Sequence, residues 1–115
     1  MAEAYNNKGT ADNYLGQYQH AIEDYNEAIR LKPNDATLYH NRGIAYDNLG
    51  KLQRAIEDFN VAISLKPKDA LAYTSRAGAY FMQGNKKFFC RDVQIACTFG
   101  DCKLSEMAKG KRYCP

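Results

Sequence analysis

Between residues 36 and 69 the positions Tyr39, Arg42, Gly43 and Tyr46 recur at spacings of three and four, which is one face of a helix. Asp35 precedes that stretch as a good N-cap and Gly50 closes it, so the pattern predicts a helix over about 36–49. A second predicted helix follows over about 52–65, with Ala55, Phe59, Ala62 and Ile63 on one side and Pro67 as its stop. Small residues at Gly43 and Ala55 have a packing purpose, because two helices of a hairpin approach closely only where side chains are short. Neither helix can bury its apolar stripe alone.

The same pattern recurs along the chain. Residues 2–35 and 36–69 align without gaps, and 19 of the 34 positions are identical. Tyr5/Tyr39, Gly9/Gly43, Ala21/Ala55, Ala28/Ala62 and Pro33/Pro67 are among them. A third copy over 70–103 matches the second at eight positions, including Tyr73, Ala79, Tyr80, Gly84 and Ala96. A 34-residue period predicts helix-turn-helix units stacked side by side.

These positions resemble the tetratricopeptide repeat family, whose pattern places an aromatic at the fourth position, Gly or Ala at the eighth and Tyr at the eleventh. Ala at the twentieth, an aromatic at the twenty-fourth, Ala at the twenty-seventh and Pro at the thirty-second complete it. The second copy fills all seven places with Tyr39, Gly43, Tyr46, Ala55, Phe59, Ala62 and Pro67. The resemblance implies an all-α fold: a right-handed superhelical stack of antiparallel hairpins, or α-solenoid, with about seven helices. One domain over 1–115 is expected, with repeats at 2–35, 36–69 and 70–101, then a capping helix and tail over 102–115. The first copy departs at the eleventh place, where Asp12 stands instead of Tyr and Tyr14 follows two places later. An unpaired carboxylate in that interface costs on the order of 2–4 kcal/mol, so the first helix is expected to fray, shift or meet a partner. In the third copy Phe89, Val93 and Asp101 replace the small twentieth residue, the aromatic and the proline. That copy reads as the end of the array.

The family places ligands in the concave groove lined by the first helix of each hairpin. The corresponding candidates are Asn6, Thr10 and Asn13 in the first copy, and His40, Ile44, Asp47 and Asn48 in the second. Thr74, Phe81 and Met82 follow in the third. The groove is therefore expected to be polar at one end and apolar at the other, suited to a peptide or partner protein with one hydrophobic anchor. Chaperone-binding members hold a C-terminal carboxylate with Lys, Asn, Asn, Lys and Arg. The matching residues here are Asn6, Thr10, Asn41, Leu71 and Ser75, of which only Asn41 agrees, so that mode is not expected. A second class of function also fits the resemblance: a structural, self-assembling unit whose exposed hairpin edges pair into a homo-oligomer.

Composition changes this picture little. At 45% hydrophobic and 25% charged the chain falls in the ordinary globular range. Net charge is +3, but residues 86–115 carry seven Lys or Arg against three Asp or Glu, which reads as a solvated face or as a patch for an acidic partner. No apolar run reaches 18 residues, so no membrane insertion is expected. The first residues lack the basic start and apolar stretch of a secretory signal.

Catalysis finds no support: His20 and His40 lie at unmatched repeat positions without a nucleophile or carboxylate at motif spacing, and both are expected at the surface. The glycines recur with the repeat and serve hairpin geometry, not phosphate binding. Tyr5, Tyr39 and Tyr73 recur likewise, so core packing explains them better than a base-stacking platform, and no nucleic-acid partner is expected. No cofactor is implied.

All four cysteines, Cys90, Cys97, Cys102 and Cys114, fall in the last 26 residues. Reduced core cysteines, two disulfides and a zinc site compete. Zinc is weakest, lacking a CxxC pair or a nearby histidine; an even count confined to one corner favours disulfides. The second helix of copy three runs from Cys90 to Cys97, the 98–101 turn reverses the chain, and a short helix over about 103–109 returns. It is capped by Asp101 and ended by Gly110, and its Leu104, Met107 and Ala108 cover the third copy. That direction favours the nested pairs Cys97–Cys102 and Cys90–Cys114. Oxidised cysteines would place the chain in a periplasmic or extracellular setting, reduced ones in the cytoplasm.

Overall fold

The computed structural model describes residues 1–115 as seven α-helices and no strands. They are α1 (Ala2–Tyr14), α2 (Tyr18–Leu31), α3 (Ala36–Asn48), α4 (Leu52–Leu65), α5 (Ala70–Met82), α6 (Lys86–Thr98) and α7 (Lys103–Gly110). α1/α2, α3/α4 and α5/α6 form three antiparallel hairpins, stacked in chain order into a right-handed solenoid of 45 × 25 × 19 Å, and α7 closes the last. No helix is long and apolar enough to cross a membrane.

Local chemistry sets the ends of these helices. Asp35 and Asp69 cap α3 and α5 by accepting from Thr37 N (3.0 Å) and Leu71 N (3.1 Å). Within each hairpin the turn requires a left-handed residue, supplied by Gly16, Gly50 and Gly84 at φ near +78°. Between hairpins, Tyr39 and Tyr73 donate their hydroxyls to the carbonyls of Pro33 (2.8 Å) and Pro67 (3.4 Å). The recurring tyrosines thus fasten each repeat to the preceding turn as well as packing.

There is no single core. Small clusters fill each interface, such as Ala21, Ile22, Tyr25 and Ala45, or Ala55, Ile56, Phe59 and Ala79. The eighth and twenty-fourth repeat positions meet face to face. A Cβ on Gly43 would stand 2.6 Å from the buried Phe59 ring, and one on Gly9 would stand 2.7 Å from Tyr25. Copy three reverses the pairing: Ala77 has its methyl because Val93 has no ring. The aromatic stands instead at Phe89, which packs with Ala77 and Val93 of the hairpin and with Ala108 of the cap.

Four expectations change. α1 runs its full 13 residues and does not fray at Asp12. α7 continues through Gly110, and the left-handed residue after it is Arg112 at φ 56°. Ser105 and Ala108 are the buried residues of α7, whereas Met107 is 57% exposed. The N-cap of α7 is Cys102 and not Asp101, which stands one residue earlier: one of its carboxylate oxygens accepts from Lys103 N (3.3 Å) and the other from Thr74 Oγ1 (2.9 Å), tying the cap to α5.

Candidate peptide-binding groove

The first helices of the hairpins, α1, α3 and α5, carry the groove positions, and several of these side chains bond to one another across repeats. Asn41 Nδ2 donates to Asn6 Oδ1 (2.9 Å), Asn48 Nδ2 to Asn13 Oδ1 (3.2 Å), and His40 Nε2 shares a 2.9 Å hydrogen bond with Ser75 Oγ. Each bond spans 35 residues, one more than the sequence period. The Thr10 hydroxyl donates to the Asn6 carbonyl (3.0 Å) and meets the Tyr25 hydroxyl at 3.0 Å. The polar end is therefore a zipped, preorganised surface.

His40 is not the surface residue expected. It is half-buried against the Phe59 ring, centroids 5.6 Å apart, and burial lowers its pKa below the usual 6.5, leaving it neutral at physiological pH. His20 is exposed as expected. Burial likewise raises the Asp47 carboxyl above its ordinary 3.8. Ile44 packs on the Phe59 cluster, and Thr74 is committed to Asp101.

The apolar end has a different build. Phe81 lies 5.4 Å from Phe89 and 5.7 Å from Tyr113, centroid to centroid, while Phe89 meets Tyr113 edge-on at 5.4 Å. Tyr113 belongs to the tail, which is anchored by the Cys90–Cys114 disulfide; Cys97–Cys102 closes the turn before α7. Beside these rings opens a cavity of about 390 Å³, whose α5 and α6 walls are Gly78, Phe81 and Phe89. α7 and the tail complete it with Leu104, Met107, Ala108, Lys111 and Tyr113. Met82, paired with Phe81 in the sequence reading, is 68% exposed and outside this cavity. Three larger depressions are open and rich in charged side chains: two at the inter-repeat turns, around Pro67 and Phe99 and around Pro33, and a third between Lys86, Lys87, Cys90 and Pro115.

Sequence reasoning missed the side chains that staple the hairpins. Arg42 forks onto Asp58 (2.9 and 2.7 Å) and reaches Asn26 (2.9 Å), and Arg76 forks onto Asp92 (2.8 and 2.8 Å) and reaches Asn60 (2.8 Å). Each guanidinium also lies near two tyrosine rings, Tyr39 and Tyr46 or Tyr73 and Tyr80. The available signal was the recurrence of Asn26/Asn60 and Asp24/Asp58/Asp92 at the repeat period.

The first copy holds a degraded version of this staple. Lys8 replaces the arginine and comes only within 3.7 Å of Asp24 Oδ1, and Asp12 replaces the tyrosine. Asp24 is buried and its Oδ2 has no partner. Burial, then the adjacent Asp12 carboxyl, raise the Asp24 pKa above 3.8, against the opposing pull of Lys8. A raised carboxyl contributes stability that is present below about pH 3.8 and lost as pH rises through the folded value. Asp12→Tyr should therefore raise stability by roughly 1–3 kcal/mol near pH 7. The gain should be smaller near pH 3.5, where only ring burial remains. Urea melts at both pH values test this, and a neutral or destabilising result at pH 7 would show that the ring does not enter the site.

Comparison with known proteins places this geometry. A family profile described as TPR repeat matches residues 9–50, and one described as tetratricopeptide repeat matches 36–69. Among solved structures, the Arabidopsis OM64 TPR domain is similar at 28% identity and a TM-score of 0.89, over 97% of this chain and 93% of that one. The second TPR of Spaghetti (RPAP3), bound to the HSP90 peptide SRMEEVD, is similar at 26% identity and a TM-score of 0.81, over 85% and 91%. MamA is similar at 31% identity and a TM-score of 0.81, over 94% of this chain and 61% of that one. No curated protein matches the chain at a significant level.

Proposed function

This chain belongs to the tetratricopeptide repeat family, and we propose that it is an adaptor that holds a peptide or a peptide-like segment of a partner protein in its concave groove. The observation that carries this is the cluster of large apolar side chains left in water at one end of that groove, above all Phe81 at 51% exposure. Half-exposed apolar side chains at the end of a polar, preorganised surface provide an anchor and a register for an extended chain. The peptide bound to the similar Spaghetti domain supports a role of the same general kind.

The carboxylate-holding mode of chaperone-binding relatives is not the one proposed. Of its positions, Asn6 and Asn41 bond to each other and Ser75 bonds to His40, while Thr10 and Leu71 supply no cation. Amidating the C-terminus of a bound peptide should leave its affinity unchanged within about twofold.

The test is selection of peptides from a random phage-displayed library on oxidised protein, with binding mapped by backbone NMR shifts. Shifts should fall on α1, α3 and α5, and Phe81→Ala should weaken binding by roughly 1–3 kcal/mol with the fold intact. Shifts confined to α2, α4 and α6, or an unchanged Phe81→Ala affinity, would move the site off the groove.

Self-assembly is the second reading. Ala11 is exposed although its counterparts Ala45 and Ala79 are fully buried by a preceding hairpin, and Leu15 beside it is 73% exposed. This edge of α1 is where a second copy would dock. Light scattering over a concentration series separates that unit from a monomeric adaptor.

A further inference from the structure

Building on the groove reading, we propose that the cavity between α5 and the disulfide-held cap is a side-chain pocket for one large apolar residue of a peptide whose flanks are acidic. Its apolar character comes from Phe89, which is 7% exposed and forms the floor, and from Leu104 and Tyr113 on the cap side. Its space comes from Gly78. The ninth repeat position is Thr10 in the first copy and Ile44 in the second, and a Cβ placed on Gly78 would meet nothing within 4 Å. A volume of about 390 Å³ lies near the low end of ligand clefts, roughly 300–1,000 Å³.

Charge selects the flanks. Lys111 is the one charged residue in the lining, and Lys103, Lys109 and Arg112 are exposed on the same cap. Lys86 sits over the Tyr113 ring at 5.0 Å. The acids of this end are largely engaged: Asp92 by Arg76, and Asp101 by Thr74 and the Lys103 amide, so that Glu106 alone opposes the cations. An apolar pocket rimmed by uncompensated lysines favours a Leu, Ile, Met or Phe flanked by Asp or Glu over the same residue with neutral or basic flanks.

Two variants test the pocket on the peptides selected above. Gly78→Ile installs the residue of copy two, fills the space and removes a helix-interior glycine, so thermal stability should hold or rise. Affinity should fall at least about tenfold. Lys111→Glu, an exposed substitution, should weaken acidic peptides about tenfold or more at low salt and less at high salt. The selected peptides should share one large apolar residue with acidic flanks, and replacing those flanks by lysine should abolish binding. Peptides that map to α1, α3 and α5 yet bind Gly78→Ile within about twofold of wild type would overturn the pocket while leaving the groove reading standing. Enrichment of basic flanks would overturn it equally. A library that yields no groove-binding peptide removes the groove reading and the pocket with it. Sedimentation of the protein alone completes the set: a dimer dissolved by Gly78→Ile would assign the pocket to a second copy of this chain and overturn the peptide proposal.

Discussion

Arg76→Met should destabilise the protein by about 3–5 kcal/mol, the expected cost of removing one partner from a buried ion pair. Asp92 is fully buried, and both of its oxygens accept from Arg76 at 2.8 Å. Without the guanidinium that carboxylate is left with no partner among α5 and α6. The same side chain also reaches Asn60 on α4, so the loss loosens the contact between the second and third hairpins as well as the third hairpin itself. In a quasi-one-dimensional stack the damage stays near its origin. Amide exchange should therefore quicken most in α5–α7 and least in α1–α2. The double variant Arg76→Met/Asp92→Leu should recover most of the loss, since apolar side chains of similar volume commonly match or exceed a buried ion pair. A single variant that loses less than about 1 kcal/mol in urea melts, or a double variant no better than the single, would show that water reaches Asp92. The first hairpin provides a natural comparison: with Lys8 at 3.7 Å, Asp24 already has an oxygen without a partner.

Much of the fold was legible because repetition amplifies weak signals. A tyrosine or glycine that would mean little once means a hairpin when it returns after 34 residues, and α4 begins and ends where the pattern placed it, at Leu52 and Leu65. The groove side of α1, α3 and α5 followed from the same register, since any residue at a given repeat position shares a face with its copies. What the period does not carry is which side chains meet between copies. The bonds 6–41, 13–48 and 40–75 depend on the offset between neighbouring hairpins, and nothing in the alignment of Asn6 with His40 announces that His40 will lean on Ser75. The Asn–Arg–Asp staples were hidden for a related reason: each joins three helices, and the sequence shows only one strand of the pattern at a time. Phe89 and Val93 were visible as departures and read as an end to the array. That the Phe89 ring would join the hairpin residues Ala77 and Val93 to Ala108 and Tyr113 of the cap required the path of the tail.

The tail is also where the second large effect is expected. The double variant Cys90→Ala/Cys114→Ala should destabilise the cap by about 3 kcal/mol, the loop-closure contribution for a separation of 24 residues, and full reduction, which also opens the second disulfide, by more. Cys97–Cys102 spans five residues and should contribute less, about 2 kcal/mol. An eight-residue helix such as α7 is too short to persist alone, so the larger loss should appear as local opening of residues 103–113, with α1–α4 still folded. Tyr113 goes with it and leaves the Phe81 and Phe89 rings without their cover. The consequence reaches the groove: the cap side of the apolar cavity consists of α7 and this tail, so a reduced protein should expose Phe81 and Phe89 more fully and lose peptide affinity while its melting transition changes only modestly. Thiol counting on protein purified without reductant should find none free, and non-reducing peptide mapping should recover Cys90 with Cys114 and Cys97 with Cys102. Hydrogen exchange before and after reduction then locates the effect. Four free thiols in air-equilibrated protein would remove the disulfides from the argument. Unchanged exchange in 103–113 after reduction would mean that Ser105, Ala108 and the ring cluster hold the cap without covalent help.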